Sequence, residues 1–95
     1  MAAYVIANLA VTDPAGFEDY RRRVLGTIEQ YGGRYLVRGG AHEVVEGDWR
    51  PARVVVVEFP SMAQLKRWYD SEEYGPLRAL RFRTARTDVV AVEGV

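Results

Sequence analysis

The chain has no cysteine. That excludes disulfides, thiolate metal sites and cysteine nucleophiles. It has a single histidine, His42, so a zinc ligand set would have to be completed by carboxylates, and no metal site is expected. It has no net charge, because thirteen Lys and Arg offset thirteen Asp and Glu. A balanced chain exerts no long-range pull on nucleic acid or on an anionic membrane. No apolar run approaches the roughly 18 residues needed to span a bilayer. The N-terminus "MAAYVIANLAVTDP" has no basic segment ahead of its apolar run. It reads as a strand rather than a secretion signal, which predicts a cytoplasmic protein. The nucleotide cradles GxGxxG and GxxxxGK[ST] are missing, and so is the GxSxG of a nucleophilic serine. Ser61 and Ser71 stand where helix caps belong.

What is there fits one α+β domain over residues 1–95. A chain of this length buries roughly two thirds of its unfolded surface, enough for one core. Ala3–Thr12 is β-rich and almost wholly apolar. Asp13 and Pro14 open a helix as cap and first helical residue. Phe17, Tyr20, Val24, Ile28 and Tyr31 then recur at helical spacing, and Gly32 and Gly33 end the run. Arg34–Gly39 is predicted as a second strand that resumes over His42–Gly47 after the break at Gly39 and Gly40. Pro51 lies outside the next strand, Ala52–Phe59, because it cannot donate to a ladder. Ser61 caps a second helix carrying Met62, Leu65 and Tyr69, interrupted at Asp70 and Ser71. A further helical segment follows, kinked near Gly75–Pro76, with Leu77, Leu80 and Thr84 in line. Thr87–Gly94 is the last strand.

This βαββαβ order predicts a ferredoxin-like fold, a four-stranded antiparallel sheet with its helices on one face. The first and third strands are then central. A central strand with one wet face should alternate apolar with polar. Here Val5, Ala7, Leu9 and Val11 oppose Tyr4, Ile6 and Ala10, with Asn8 the one polar member of that row. Val55, Val57 and Phe59 oppose Val54 and Val56, with Glu58 at the end. Helices cover one side only. The other is expected to be covered by a second copy, giving a homodimer through the helix-free sheet face, a dimeric α/β barrel with a cavity inside or at its rim.

The stretches "TDPAGFEDYRRRV", "YGGRYLVRGGAHEVVEGDWRPARVVVVEFPSMAQLKRWYDSEEY" and "LRALR" resemble the bacterial family called domain of unknown function 1330. The resemblance runs over nearly the whole chain. It implies membership of the dimeric α/β-barrel superfamily, the ferredoxin-like fold and a homodimer. It implies no settled reaction. Related superfamily members include cofactor-free monooxygenases, haem-degrading enzymes, lactone isomerases and plain ligand binders, and fold alone does not choose among them.

Six side chains are candidates for a site. Histidine is the one residue type whose ordinary pKa lies near neutrality, so His42 is the candidate catalytic acid or base. The glycines before it can bulge a strand and re-aim a side chain. Its alternative is an idle, half-exposed histidine. Arg38 could grip a carboxylate or phenolate, or form an edge-strand ion pair with Glu46 or Glu58. Asn8 and Glu58 break otherwise apolar rows and are candidates to face the cavity between the two sheets of the dimer. Trp68 and Tyr74 are candidates for a pocket rim, since Trp and Tyr join an apolar body to a polar tip. Arg78, Arg81, Arg83 and Arg86 follow Glu72 and Glu73 and read as charges complementing a helix dipole. The third strand, "ARVVVVEF", lacks the RNP1 pattern of RNA-binding domains, so no nucleic acid is expected. No cofactor is expected either. Two functions remain. One is a small cofactor-free enzyme, isomerase- or monooxygenase-like, acting on an organic anion. The other is a non-catalytic metabolite-binding or structural dimer.

Overall fold

The computed structural model describes residues 1–95. Its elements are β1 (Ala3–Val11), α1 (Pro14–Gln30), β2 (Arg34–Arg38), β3 (Val54–Phe59), α2 (Met62–Tyr69), α3 (Gly75–Thr84) and β4 (Ala85–Glu93). The strands form one antiparallel sheet in the order β2-β3-β1-β4. β1 and β3 are therefore central, as the sequence predicts. No helix is long and apolar enough to cross a membrane.

One face of the sheet makes the core. Ala3, Val5, Ala7 and Leu9 of β1 and Val55, Val57 and Phe59 of β3 are buried there. They meet Phe17, Tyr20, Val24 and Ile28 of α1, Leu65 and Trp68 of α2, and Leu77 of α3. The helix α1 starts where Asp13 accepts a hydrogen bond from the Gly16 N–H at 3.2 Å, with Pro14 at the first position. It ends at Gly32, whose φ of 80° suits a residue without Cβ. Ser61 caps α2 by accepting from the Gln64 N–H at 3.1 Å.

Four expectations need correction. His42–Gly47 is not a strand. Gly39, at φ 71°, turns the chain away from β3, and residues 41–50 are exposed loop. β3 begins at Val54, two residues late, because the Ala52 and Arg53 N–H groups donate to the Asn8 side chain instead of to a ladder. The segment after Tyr69 is no kinked helix. Ser71 Oγ donates to Trp68 O at 2.7 Å and accepts from the Tyr74 N–H at 3.1 Å, which closes a turn before α3 starts at Gly75. Glu72 and Glu73 thus lie outside α3, and its first turn has no acid to complement the helix dipole.

The other sheet face carries no helix. Cross-strand pairing sets Val56 beside Ile6, Ile6 beside Val90, and Tyr4 beside Val92. Val90, Val92 and Val37 on this side are exposed. The one charged pair among them is Arg34 with Glu58, at 2.7 Å.

A candidate anion cavity between helices and sheet

A β-bulge decides what faces the core at β2. Tyr35 pairs with Val57, Val37 with Val56 and Arg38 with Val55, so Leu36 is the extra residue. Strict alternation would send Tyr35 and Arg38 to opposite faces, since they are three positions apart. The bulge instead turns both toward the helices. There the Arg38 guanidinium lies 4.4 Å from the centroid of the Tyr35 ring and donates to Arg21 O at 2.7 Å. Burial raises the Tyr35 phenol pKa, against a lowering pull from Arg38.

Tyr35 and Arg38 open onto a cavity between the sheet and the helices, of about 50 Å³. At roughly 10–15 Å³ per water that is space for a few waters or a carboxylate-sized group. Leu9, Ala7 and Val55 form its floor, and Tyr20, Val24, Trp68 and Tyr74 belong to its walls. Trp68 is anchored by its indole N–H, which donates to Thr27 Oγ1 at 3.0 Å. Tyr20 and Tyr74 hydroxyls meet at 2.8 Å. Burial, reinforced by Tyr74, raises the Tyr20 pKa far above the ordinary phenol range.

The charged lining is of one sign. Arg21, Arg38, Arg53 and Arg81 line the cavity and no Asp or Glu does. Arg81 is the most enclosed, at 3% exposure. Its Nη1 donates to Thr87 Oγ1 at 2.6 Å, while its Nε has no partner. The Arg53 Nε is buried and unpartnered as well. Neither residue, nor Arg38, takes part in a salt bridge, although the helices carry several. A buried cation that lacks an anion is costly.

Of the six side chains singled out in the sequence, Arg38, Trp68 and Tyr74 line this cavity. His42 does not. It lies on the exposed loop, beside a shallow groove shared with Glu43, Trp49 and Pro51. Asn8 is occupied by two backbone donors, Ala52 N–H at 2.9 Å and Arg53 N–H at 3.4 Å. Glu58 lies on the helix-free face, paired with Arg34 rather than Arg38. No three His, Cys, Asp or Glu side chains stand close enough together to hold a metal ion.

Sequence reasoning missed Arg53 and Arg81, and the signals were present. Arg81 follows Leu77 by four and precedes Thr84 by three, so it belongs to the buried stripe of α3. Arg53 shares the parity of Val55, Val57 and Phe59, all buried. From sequence Arg81 reads as one of four charges complementing a helix dipole, and Arg53 only as part of the strand Ala52–Phe59.

The fold recurs in solved structures. The RPA0582 protein of unknown function from Rhodopseudomonas palustris superposes with a TM-score of 0.78 at 15% identity, over 99% of this chain and 82% of that one. A dimeric ferredoxin-like protein of unknown function from Jannaschia sp. CCS1 gives 0.72 at 12%, over 99% and 100%. SnoaB, a cofactor-independent oxygenase from Streptomyces nogalater, gives 0.68 at 11%, over 99% and 93%. These identities carry the fold and not the chemistry. A sequence comparison with curated proteins gave no match. The profile of the family described as "Domain of unknown function (DUF1330)" matches residues 2–95, and the chain belongs to that family.

Proposed function

We propose that this protein is a homodimer whose subunits each bind a small organic anion in the cavity between helices and sheet. One observation carries the binding reading: Arg81 is almost wholly buried with a free Nε, in a cavity lined by arginines and by no carboxylate. Water can solvate such a group only in part. An anion would satisfy the guanidinium through charge-assisted hydrogen bonds, which are about twice as strong as neutral ones. The apolar and aromatic walls suit an organic rather than an inorganic anion. Self-association through the bare sheet face is supported by the apolar rows around Ile6, Val56 and Val90. The Jannaschia neighbour is itself described as dimeric.

A second reading, catalysis without a cofactor, is favoured by the hydroxyl pair of Tyr20 and Tyr74. Only one of the two protons is used between them, and neither oxygen has another protein partner. The remaining O–H can donate to an enolate or phenolate oxygen formed on a bound substrate. Stabilising that oxyanion favours the carbanionic form of the substrate, whose carbon can take up a proton or pass an electron to dioxygen. The cavity contains no histidine or carboxylate to act as base. This chemistry would therefore suit a substrate acidic enough to ionise by itself.

Calorimetric titration with small carboxylates and acidic phenols tests the binding reading. At least one should bind the wild type, and Arg81→Lys or Arg81→Met should weaken it tenfold or more. His42→Ala, altered outside the cavity, should bind within twofold of wild type. Absence of binding for every anion, or equal binding by the Arg81 variants, would refute the reading.

A further inference from the structure

The cavity has two cationic poles, and the register of the sheet shows how they are set. Leu9 pairs with Thr87 of β4 on one side, and Thr87 holds Arg81. On its other side the Leu9 N–H donates to Arg53 O at 2.9 Å. Arg53 and Thr87 thus flank Leu9 in one row, two strand spacings apart, roughly 10 Å between backbones. The poles diverge further. The Arg53 side chain leans toward β2, over Gly39, so closely that a Cβ on Gly39 would come within 2.5 Å of its Nε and 2.8 Å of its Cζ. Arg38 joins it there, with Tyr35. This second pole stands at the rim, where Arg53 and Arg38 are half-buried and Arg21 is exposed.

We infer, building on the anion-binding reading, that the ligand is a two-headed organic anion. One acidic head sits inside at Arg81, beside Tyr20 and Tyr74. A short apolar middle crosses Leu9, Ala7 and Val55. The second acidic head is held at the rim by Arg53 and Arg38. The small internal volume agrees with one head inside and one at the mouth. No carboxylate of the protein competes for either pole. Gly39 is then a positioning residue: its missing side chain is the space through which Arg53 reaches the rim.

The test uses α,ω-dicarboxylates from succinate to pimelate against their monomethyl esters, titrated into the protein. The wild type should bind a dicarboxylate of one preferred length at least tenfold tighter than its ester. Arg53→Gln should lower the dicarboxylate's affinity more than the ester's and so reduce that preference severalfold, since only Arg38 is left to hold the second head. Gly39→Ala should do the same by displacing the guanidinium. Should the strained φ at position 39 prevent Gly39→Ala from folding, Arg53→Gln still decides, because it leaves the backbone untouched. No preference for two heads in the wild type, or a preference undiminished by Arg53→Gln, overturns the inference and leaves anion binding at Arg81 standing. No binding of any anion removes both.

Discussion

The hydroxyls of Tyr20 on α1 and Tyr74 ahead of α3 meet at 2.8 Å inside the protein, although 54 residues separate them in the chain. The contact ties the first helix to the last, and both rings are buried. It has a consequence at high pH. A phenol whose folded pKa is raised stays protonated while its unfolded counterpart ionises. The unfolded state then binds fewer protons, and stability falls as pH rises. The contribution of Tyr20 is complete below the ordinary value of 10.0 and drains away above it. Tyr35 acts in the same direction, through burial. Melting temperature should therefore drop steeply above about pH 10, the ordinary tyrosine pKa. Absorbance at alkaline pH should show Tyr20 ionising only as the protein unfolds. Tyr20→Phe should flatten the pH slope. A slope unchanged by that substitution would contradict the assignment.

Replacing Arg81 separates function from stability. An uncompensated buried cation costs free energy, and an apolar side chain of similar size relieves it. Arg81→Met should leave the melting temperature of the ligand-free protein unchanged or higher, while binding is lost. This is the trade expected where a site holds strain for its ligand. A fall of several degrees would show instead that Arg81 serves the fold through Thr87.

Asn8 is a stability residue in the region where β1 meets the long loop. Its Oδ1 holds two backbone N–H groups of the chain entering β3. Asn8→Ala should cost about 1–2 kcal/mol for the lost hydrogen bonds. For a domain of this size that is roughly 5–10 °C in melting temperature. Calorimetry of the ligand-free variant checks it. A change under about 1 °C, far below that scale, would mean that water replaces Asn8 without loss.

Val90 lies on the helix-free face, opposite Ile6, and is 55% exposed in the single chain. A surface valine on a monomer tolerates lysine, with effects of about 0.5 kcal/mol or less. In a face-to-face dimer the same change buries an unpaired charge. Light scattering should give twice the chain mass of 10.7 kDa for the wild type and the single mass for Val90→Lys. A wild type that runs as a monomer would remove the proposed interface.

How much of this was legible in the sequence varies from residue to residue. The strand rows of β1 and β3, the caps at Asp13 and Ser61 and the stop at Gly32 follow from periods and conformational preferences within a few residues. Trp68 and Tyr74 could be picked out by chemistry, since an aromatic with a polar tip needs a partner when buried. Their partners, Thr27 and Tyr20, lie 41 and 54 residues away. The strand expected over His42–Gly47 failed because its apolar residues had a suitable composition but no edge to pair with, once Gly39 had turned the chain.

The sequence by itself determined the element order, the central strands and the absence of any disulfide, since these depend on local pattern and on which atoms are present. Only the tertiary structure decided where the charges go. One inserted residue, Leu36, turns Arg38 inward, and Gly39 leaves a gap that Arg53 fills. The α3 register carries Arg81 to Thr87 under the helices. A side chain's environment is set by what the chain brings to it from a distance, and burial can enclose an arginine that composition alone assigns to water.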